Sequence, residues 1–247
     1  MQHLKLSTDL PFGGVILGQK DPSDFTLESF AASPDILYHG TERTFALDPR
    51  FDFHSSQYTG RDTSATLGPG IYTTTDRALA EQYSRIRGLP DGFAPIVLPL
   101  LPYRALMLDN RDPDRPGRNQ PVPEKLLEAW KAHVNDNVAR IEMQLLDSEI
   151  APRVAQRIAH LYADELSAIK FGVDLRELLK VAQSGPWTFE FGKFMQANGY
   201  DGVICMEGGE DHFRNISDAT HVFYSLARVG TYQLWKERSN AWEGFGA

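Results

Sequence analysis

A block of helical periodicity, residues 123–182, separates two regions of short strand-like runs, and this arrangement most constrains the fold. Within the block, apolar side chains recur at the spacing of one helix face, as at Leu126, Leu127, Trp130 and Val134. Outside the block, strands seldom alternate with helices, unlike the pattern of a doubly wound fold. The sequence therefore predicts an α+β fold of packed sheets with a helical subdomain.

The bulk composition limits the classes of function. The chain has 247 residues, of which 42% are hydrophobic and 23% charged, which is typical of a globular protein with a sizeable core. Its net charge of −8 gives no overall attraction to nucleic acid or to an anionic membrane. Cys205 is the single cysteine, so neither an intramolecular disulfide nor a cysteine-based metal cluster is expected.

The sequence also predicts where the chain is used. It contains no apolar run of transmembrane length, and Met1 to Lys5 lack the layout of a secretory signal. We expect a cytoplasmic protein, or one delivered into a target cell by a route without a signal peptide.

Short elements flank the helical block. A helix over residues 23–30 is predicted, with Ser23 or Asp24 as its cap. Strands are predicted over residues 36–38, 71–75, 94–102, 104–109, 200–206 and 220–225. Two further helices are predicted, one over 76–87 with Asp76 as its cap and one over 187–198 that ends at Gly199.

Residues 38–83 carry the candidate ligand site. A His-Gly-Thr turn (39–41) follows one strand, and a Gly-Pro-Gly turn precedes the strand that carries Tyr72. The next helix carries Tyr83. Glycines beside one imidazole and two phenol rings indicate a slot for a flat ligand with polar edges. Each piece alone is typical of ordinary structure, so the functional interpretation depends on the spacing between them.

This spacing resembles that of the ADP-ribosyltransferases of the diphtheria-toxin and poly(ADP-ribose)-polymerase class. The family has His-Gly-Ser/Thr at a strand end, then Gly-x-Gly-Ile/Leu-Tyr-Phe, and a second tyrosine eleven residues after the first. Here His39-Gly40-Thr41 and Gly68-Pro69-Gly70-Ile71-Tyr72 match these motifs, and Tyr83 follows Tyr72 by eleven residues.

Later segments extend the resemblance. Residues 199–204 resemble the family's Gly-Tyr-Asp-Gly-Val/Ile segment, and 220–229 resemble its last conserved strand. The resemblance implies a split pair of antiparallel sheets in an ADP-ribosyltransferase-like domain over residues 36–247. The helical insertion then covers about 123–184, and residues 1–35 form an N-terminal extension packed on the domain.

The resemblance implies NAD as the substrate and gives roles to particular residues. The catalytic positions are His39, Tyr72 and Thr220, the NAD-binding positions are His39, Gly40, Thr41, Gly70, Tyr72 and Tyr83, and no metal is implied. Tyr72 and Tyr83 would sandwich the nicotinamide, with a contribution of about 0.5–1.5 kcal/mol per aromatic pair. The backbone of Gly40 would contact the carboxamide, and His39, with help from Thr41, would bind the adenosine ribose.

Two positions depart from the family. Thr220 stands where the family has a glutamate, and it offers a hydrogen bond but no charge, so polymer synthesis is not expected. Ala80 stands where the family has a hydroxyl beside the carboxamide. A replacement carboxylate would come from the acceptor or from the preceding loop, whose acids are Glu207, Glu210, Asp211 and Asp218.

Three functions are therefore weighed. The first is a mono-ADP-ribosyltransferase, a bacterial toxin or effector, with a protein rather than a nucleic acid as acceptor, no membrane partner, and an antitoxin or immunity protein as a further partner. The second is a catalytically silent module that binds NAD or ADP-ribose. The third is an RNA 2′-phosphotransferase, for which Arg43 and Arg61 are loose candidates. A metal hydrolase is not expected, because His39, His54 and His221 show no ligand spacing with acids.

Overall fold

The computed structural model has an α+β fold, as the sequence predicts. It describes residues 5–6, 10–41, 67–68, 70–86, 96–170, 172–180, 186–207 and 218–243. Within these ranges nine strands form one series of pairings. The strands are β1 Lys5–Leu6, β2 Val15–Leu17, β3 Leu37–Thr41, β4 Ile71–Thr74, β5 Ile96–Pro102, β6 Ala105–Asp109, β7 Gly202–Glu207, β8 Asp218–Phe223 and β9 Val229–Gly230.

Most helices lie where the pattern predicts them, but no helix was predicted for the segment Tyr232–Glu243. The α-helices are α1 Leu27–Ala31, α2 Arg77–Ile86, α3 Glu124–Asp147, α4 Pro152–Ala168, α5 Leu175–Lys180, α6 Pro186–Ala197 and α7 Tyr232–Glu243, with short 3-10 helices at Pro22–Asp24 and Leu226–Arg228. Helix α6 ends as predicted at Gly199, whose φ of 86° is accessible mainly to glycine.

One helix start was predicted wrongly. The segment expected to be a single helix over 23–30 forms a 3-10 turn and then α1, and the cap is Thr26 rather than Ser23 or Asp24. The Thr26 side chain accepts a hydrogen bond from the backbone N–H of Ser29, whose side chain in turn accepts from the backbone of Thr26. This reciprocal pair is a capping box, and it fixes the later start.

The sheet has the strand order β1-β2-β6-β7-β8-β4-β3-β5-β9. All described pairs are antiparallel except β6 and β7, which are parallel. A parallel pair requires a crossover connection, and here helices α3 to α6 provide it. The predicted helical insertion is therefore the connection between two neighbouring strands.

Each face of the sheet has its own apolar core. On one face, Val203 and Val222 pack in the same cluster as Trp130 of α3 and Phe191 of α6. The helical block thus shares a core with the sheet. The other face carries a second cluster, whose members include Val15, Leu17, Leu37, Ile71, Met107, Ile204, Phe223 and Val229.

The N-terminal segment is part of this architecture. Strands β1 and β2 extend the sheet beyond β6. Phe12 stacks between Phe194 and Tyr200, with ring centroids 6.1 and 5.9 Å away. The Tyr200 hydroxyl donates to the carbonyl of Gly13 at 2.7 Å and accepts from the N–H of Phe12 at 2.9 Å. The tyrosine of the Gly-Tyr-Asp-Gly segment therefore holds the chain that leads into β2.

Candidate functional site

Strands β3 and β4 separate soon after they meet. All five residues of β3 pair with β5, and all four residues of β4 pair with β8. Between β3 and β4, the described register has one residue pair, Tyr38 with Thr74. Two halves of the sheet are thus joined at that pair, and they diverge towards residues 39–41 and 71–73. We call the region between these two segments the β3–β4 opening.

His39 reaches across the β3–β4 opening. Its Nδ1 atom lies 2.7 Å from the backbone carbonyl oxygen of Tyr72. Because a carbonyl oxygen only accepts, Nδ1 must carry the hydrogen, and Nε2 of the neutral ring is then an acceptor. The bond therefore holds the neutral ring in the tautomer whose Nε2 atom is an acceptor.

Gly40 is required by the close approach of helix α2. A Cβ atom on Gly40 would lie 1.8 Å from the carbonyl oxygen of Ala80 and 3.0 Å from the backbone nitrogen of Ser84. No other residue fits there without displacing the helix. The glycine of the His-Gly-Thr motif thus has a packing role, and Ala80 contributes its backbone to that contact.

Tyr72 is held at its hydroxyl group. The hydroxyl donates to the carbonyl of Gly68 at 2.7 Å and accepts from the N–H of Leu67 at 3.0 Å. The buried hydroxyl of Tyr224 donates to the carbonyl of Leu67 at 3.0 Å, and burial raises the pKa of Tyr224 well above its usual value. Two tyrosines therefore fix Leu67 and Gly68, and the Tyr72 ring has a defined position.

The remaining predicted ligand residues lie on the elements around the β3–β4 opening. A Cβ atom on Gly70 would lie 2.5 Å from the carbonyl oxygen of Phe223, so this glycine allows β4 to approach β8. Residues 39–41 were predicted wrongly as a turn, because they continue β3 and pair with β5. Thr41 ends β3 and is half-buried, as is Tyr83 on α2. Asp76 caps α2 as predicted, since its carboxylate accepts from the backbone N–H of the second and third helical residues at 2.7 and 3.3 Å.

The three predicted catalytic residues do not share one face of the sheet. Thr220 pairs with Thr74, and Tyr72 pairs with Val222 two residues further along β8. Side chains alternate along strands, so Tyr72 and Thr220 point to the face that carries the helices. Leu37 belongs to the core on the opposite face, and His39 has the same parity as Leu37. The imidazole of His39 therefore comes to the opening from the other face.

Thr220 is buried and uncharged. It is 2% exposed and lies between Thr74 on β4 and Cys205 on β7. Of the acids considered as substitutes for a glutamate, Asp218 is fully described. Glu207 pairs with Asp218 in the sheet register. Glu210 and Asp211 lie outside the described residues, as do Pro69, Arg43, His54 and Arg61.

The Asp218 carboxylate accepts several hydrogen bonds. Its donors are the hydroxyl of Thr74, the hydroxyl of Thr75 at 2.9 Å, and the backbone N–H of Asp76 at 3.0 Å. Burial raises the pKa of Asp218, but these bonds, with one from the N–H of Ala219, outweigh it and hold the pKa below its usual value. The carboxylate is therefore ionised at neutral pH.

Sequence reasoning missed a buried histidine on β8, the strand that pairs with β4. His221 is 1% exposed, and its Nδ1 atom has no hydrogen-bond partner. Burial, and to a lesser extent the nearby Arg111, lower its pKa to about 4, although Asp109 and Asp218 oppose this shift. The available signal was a polar residue at a core position of β8, between Ala219 and Phe223.

The chain was compared with models of known protein families, with curated proteins and with solved structures, and nothing matched. Among the described residues, no helix is long and apolar enough to cross a membrane. The same part of the chain contains no group of three or more side chains placed to hold a metal ion.

Proposed function

We propose that the protein is a mono-ADP-ribosyltransferase that transfers ADP-ribose from NAD to a macromolecular acceptor and releases nicotinamide. The observation that carries the proposal is the β3–β4 opening, with His39, Gly40 and Tyr72 on the strands that diverge there. Helix α2, which carries Tyr83, closes on Gly40. These are the residues whose spacing resembles that of the family.

The chain's own residues would bind and orient the substrate. Tyr72 is fixed through its hydroxyl, so its ring is a preorganised surface for the nicotinamide, and Tyr83 would contribute a second ring. Nε2 of His39 would accept a hydrogen bond from a ribose hydroxyl, because Nδ1 already donates to the backbone. NAD is substrate here and not a resident cofactor.

The reaction breaks the bond between the nicotinamide nitrogen and C1′ of the ribose. Both electrons of that bond pass to the nicotinamide, whose positive charge is thereby neutralised. A lone pair of the acceptor then forms the new bond to C1′, and the acceptor loses a proton to the solvent. Catalysis by positioning is sufficient for such a step to be accelerated by several orders of magnitude.

The proposal includes a sheet that is split into two parts. The family resemblance implies two antiparallel sheets split from each other. The single residue pair between Tyr38 and Thr74, with longer pairing on either side, supports such a split. The proposed arrangement puts β3, β5 and β9 in one sheet and the remaining strands in the other.

The acceptor is proposed to be a protein rather than a nucleic acid, because the chain has a net charge of −8. A bacterial toxin or effector is the biological role we propose for such an enzyme. An antitoxin or immunity protein would then be a further partner.

A second candidate function is a silent module that binds NAD or ADP-ribose without reaction. It is favoured by Thr220, which is buried and carries no charge at the position where the family has its glutamate. In that case the β3–β4 opening would retain the ligand, and the glycosidic bond would remain intact.

Labelled NAD distinguishes these functions. The full chain is incubated with NAD labelled in its adenylate part and with cell lysates, and both protein-bound label and free nicotinamide are measured. A transferase gives both products, and Tyr83→Ala, which removes one of the two rings proposed to hold the nicotinamide, lowers the yield of both at subsaturating NAD. Tyr232→Ala, which truncates a half-buried tyrosine on α7, is the matched control and retains activity. Binding of NAD without either product would favour the silent module.

A further inference from the structure

The Asp218 carboxylate joins three elements at one point. Asp218 is the first residue of β8, Thr74 is the last residue of β4, and Asp76 directly precedes helix α2. The carboxylate accepts from the hydroxyls of Thr74 and Thr75 and from the backbone N–H of Asp76. We call these four residues the Asp218 cluster.

The Asp218 cluster continues into the first turn of α2. The hydroxyl oxygen of Thr74 also accepts from the N–H of Asp76 at 3.1 Å. Asp76 itself caps the helix by accepting from the N–H groups of Ala78 and Leu79. The N–H groups of Asp76, Ala78 and Leu79 thus donate to two carboxylates, the first from Asp218 on β8 and the second from Asp76 itself.

Helix α2 in turn forms one side of the β3–β4 opening. Its Ala80 carbonyl lies where a Cβ atom of Gly40 would be, so a small shift of the helix would change that contact. Tyr83, one turn further along, moves with the helix. A continuous series of hydrogen bonds and packing contacts therefore leads from Asp218 to Gly40 and Tyr83.

We propose that Asp218 is a positioning residue, which fixes helix α2 against β3 and so sets the distance between the two sides of the nicotinamide site. The ligand part of this inference rests on the proposed function, whereas the placement of the helix does not. Asp218 was one of the acids considered as a replacement for the missing glutamate. The structure assigns it a different role.

The hydrogen bonds of Asp218 explain why a reactive role does not fit. An ionised carboxylate has about four acceptor positions, and here two hydroxyls and the N–H groups of Asp76 and Ala219 use them. A ribose hydroxyl could bind only by displacing one of these donors. The same count explains the need for a charge, because an amide at this position would present N–H groups to the donors around it.

The test compares the full-length chain with Asp218→Asn. Amide hydrogen exchange is followed in residues 77–86, and NAD affinity and turnover at saturating NAD are measured separately. We expect exchange in α2 to accelerate roughly tenfold, since hydrogen bonds to a charged group are lost. We expect NAD affinity to fall by roughly the same factor, with turnover at saturation within about threefold of the parent.

The controls separate this proposal from its alternatives. Asp164→Asn, on the exposed face of α4, leaves exchange and affinity unchanged. Thr75→Val removes one exposed donor to Asp218 and should accelerate amide exchange in α2 more weakly. This variant replaces Asp218→Asn in the test if Asp218→Asn does not fold. Unchanged exchange in α2 would overturn the positioning role. A turnover loss of about 100-fold with unchanged NAD affinity would also overturn it, and would make Asp218 a catalytic carboxylate.

Failure of the proposed function gives a different result. If the parent chain does not bind NAD, the proposed function and the ligand part of this inference both fall. Accelerated exchange in α2 would still establish that Asp218 holds the helix on Gly40.

Discussion

The imidazole of His39 donates from Nδ1 to the backbone carbonyl of Tyr72 across 2.7 Å, at the point where β3 and β4 no longer pair with each other. A side chain of β3 thus bonds to the backbone of β4 beyond the single residue pair of their described register. The bond also fixes the ring nitrogen that faces away as an acceptor. The same imidazole therefore bonds one strand to the other through Nδ1 and presents an acceptor through Nε2.

Replacing His39 separates these two effects. His39→Asn keeps a donor near the position of Nδ1 but removes Nε2, so we expect stability close to that of the parent and weaker NAD binding. His39→Leu removes both, and we expect a further loss of about 1–2 kcal/mol in the free energy of unfolding. Urea denaturation and NAD titration of both variants check this. Equal stability of the two variants would contradict the structural part.

Gly40→Ala should be strongly destabilising. The added methyl group would lie 1.8 Å from the Ala80 carbonyl, so α2 must move, and overpacking of this kind costs about 1–3 kcal/mol. Gly13→Ala is the control, since Gly13 has a φ of 75° and open space around it. Any stability that this variant loses reflects backbone strain alone. Thermal unfolding compares them. A smaller loss for Gly40→Ala than for Gly13→Ala would argue against the helix contact.

The sequence predicted those parts of the fold that depend on local pattern. Helix α2, its Asp76 cap and the end of α6 at Gly199 follow from capping chemistry and helical spacing, and the structure confirms them. The cap of α1 was predicted wrongly. Ser23, Asp24 and Thr26 all have side chains that can cap, and the side chain of Ser29 decides between them.

Non-local relationships could not be predicted from the pattern. The separation of β3 from β4 depends on which strands pair, and no residue within either strand encodes it. The packing of α2 on Gly40 could not be predicted either. The glycine indicates that some group approaches its backbone closely, but not that this group is the Ala80 carbonyl of α2. From the sequence, Asp218 is a loop acid that could replace the missing glutamate, and His221 is considered only as a metal ligand, a role that its spacing does not favour. Their roles depend on partners more than a hundred residues away or on complete burial.

Tyr72→Phe tests whether the hydroxyl of Tyr72 holds the residues before β4. The variant keeps the ring but loses bonds to the backbone of Leu67 and Gly68, so we expect a loss of about 1–2 kcal/mol in the free energy of unfolding. Affinity for nicotinamide should fall modestly, since the ring remains. Tyr232→Phe, on α7, is the control and should change neither quantity. Unaltered stability of Tyr72→Phe would show that those two bonds contribute little.

Stability should fall with acid because of His221. Burial lowers its pKa to about 4 in the folded chain, compared with an ordinary value of 6.5. Above about pH 6.5 the ring is neutral in both the folded and the unfolded chain, so its ionisation takes nothing from the free energy of unfolding. Between that pH and about 4 the unfolded chain binds a proton that the folded chain does not. The stability lost over this range is about 3 kcal/mol.

The measurement is the pH dependence of urea unfolding between pH 7 and 4.5. His221→Phe removes the titrating group, so the slope of stability against pH should become shallower than in the parent. The buried-histidine explanation fails if the parent and His221→Phe lose stability equally.

Titration calorimetry with NAD tests the central claim most directly. The parent chain, Tyr83→Ala and Tyr232→Ala are each titrated with NAD and with nicotinamide alone. The proposed site predicts one NAD per chain in the parent and in Tyr232→Ala, with affinity for both ligands roughly two- to thirteenfold weaker in Tyr83→Ala. Absence of NAD binding by the parent, or equal affinity in all three chains, would contradict a nicotinamide site between β3, β4 and α2.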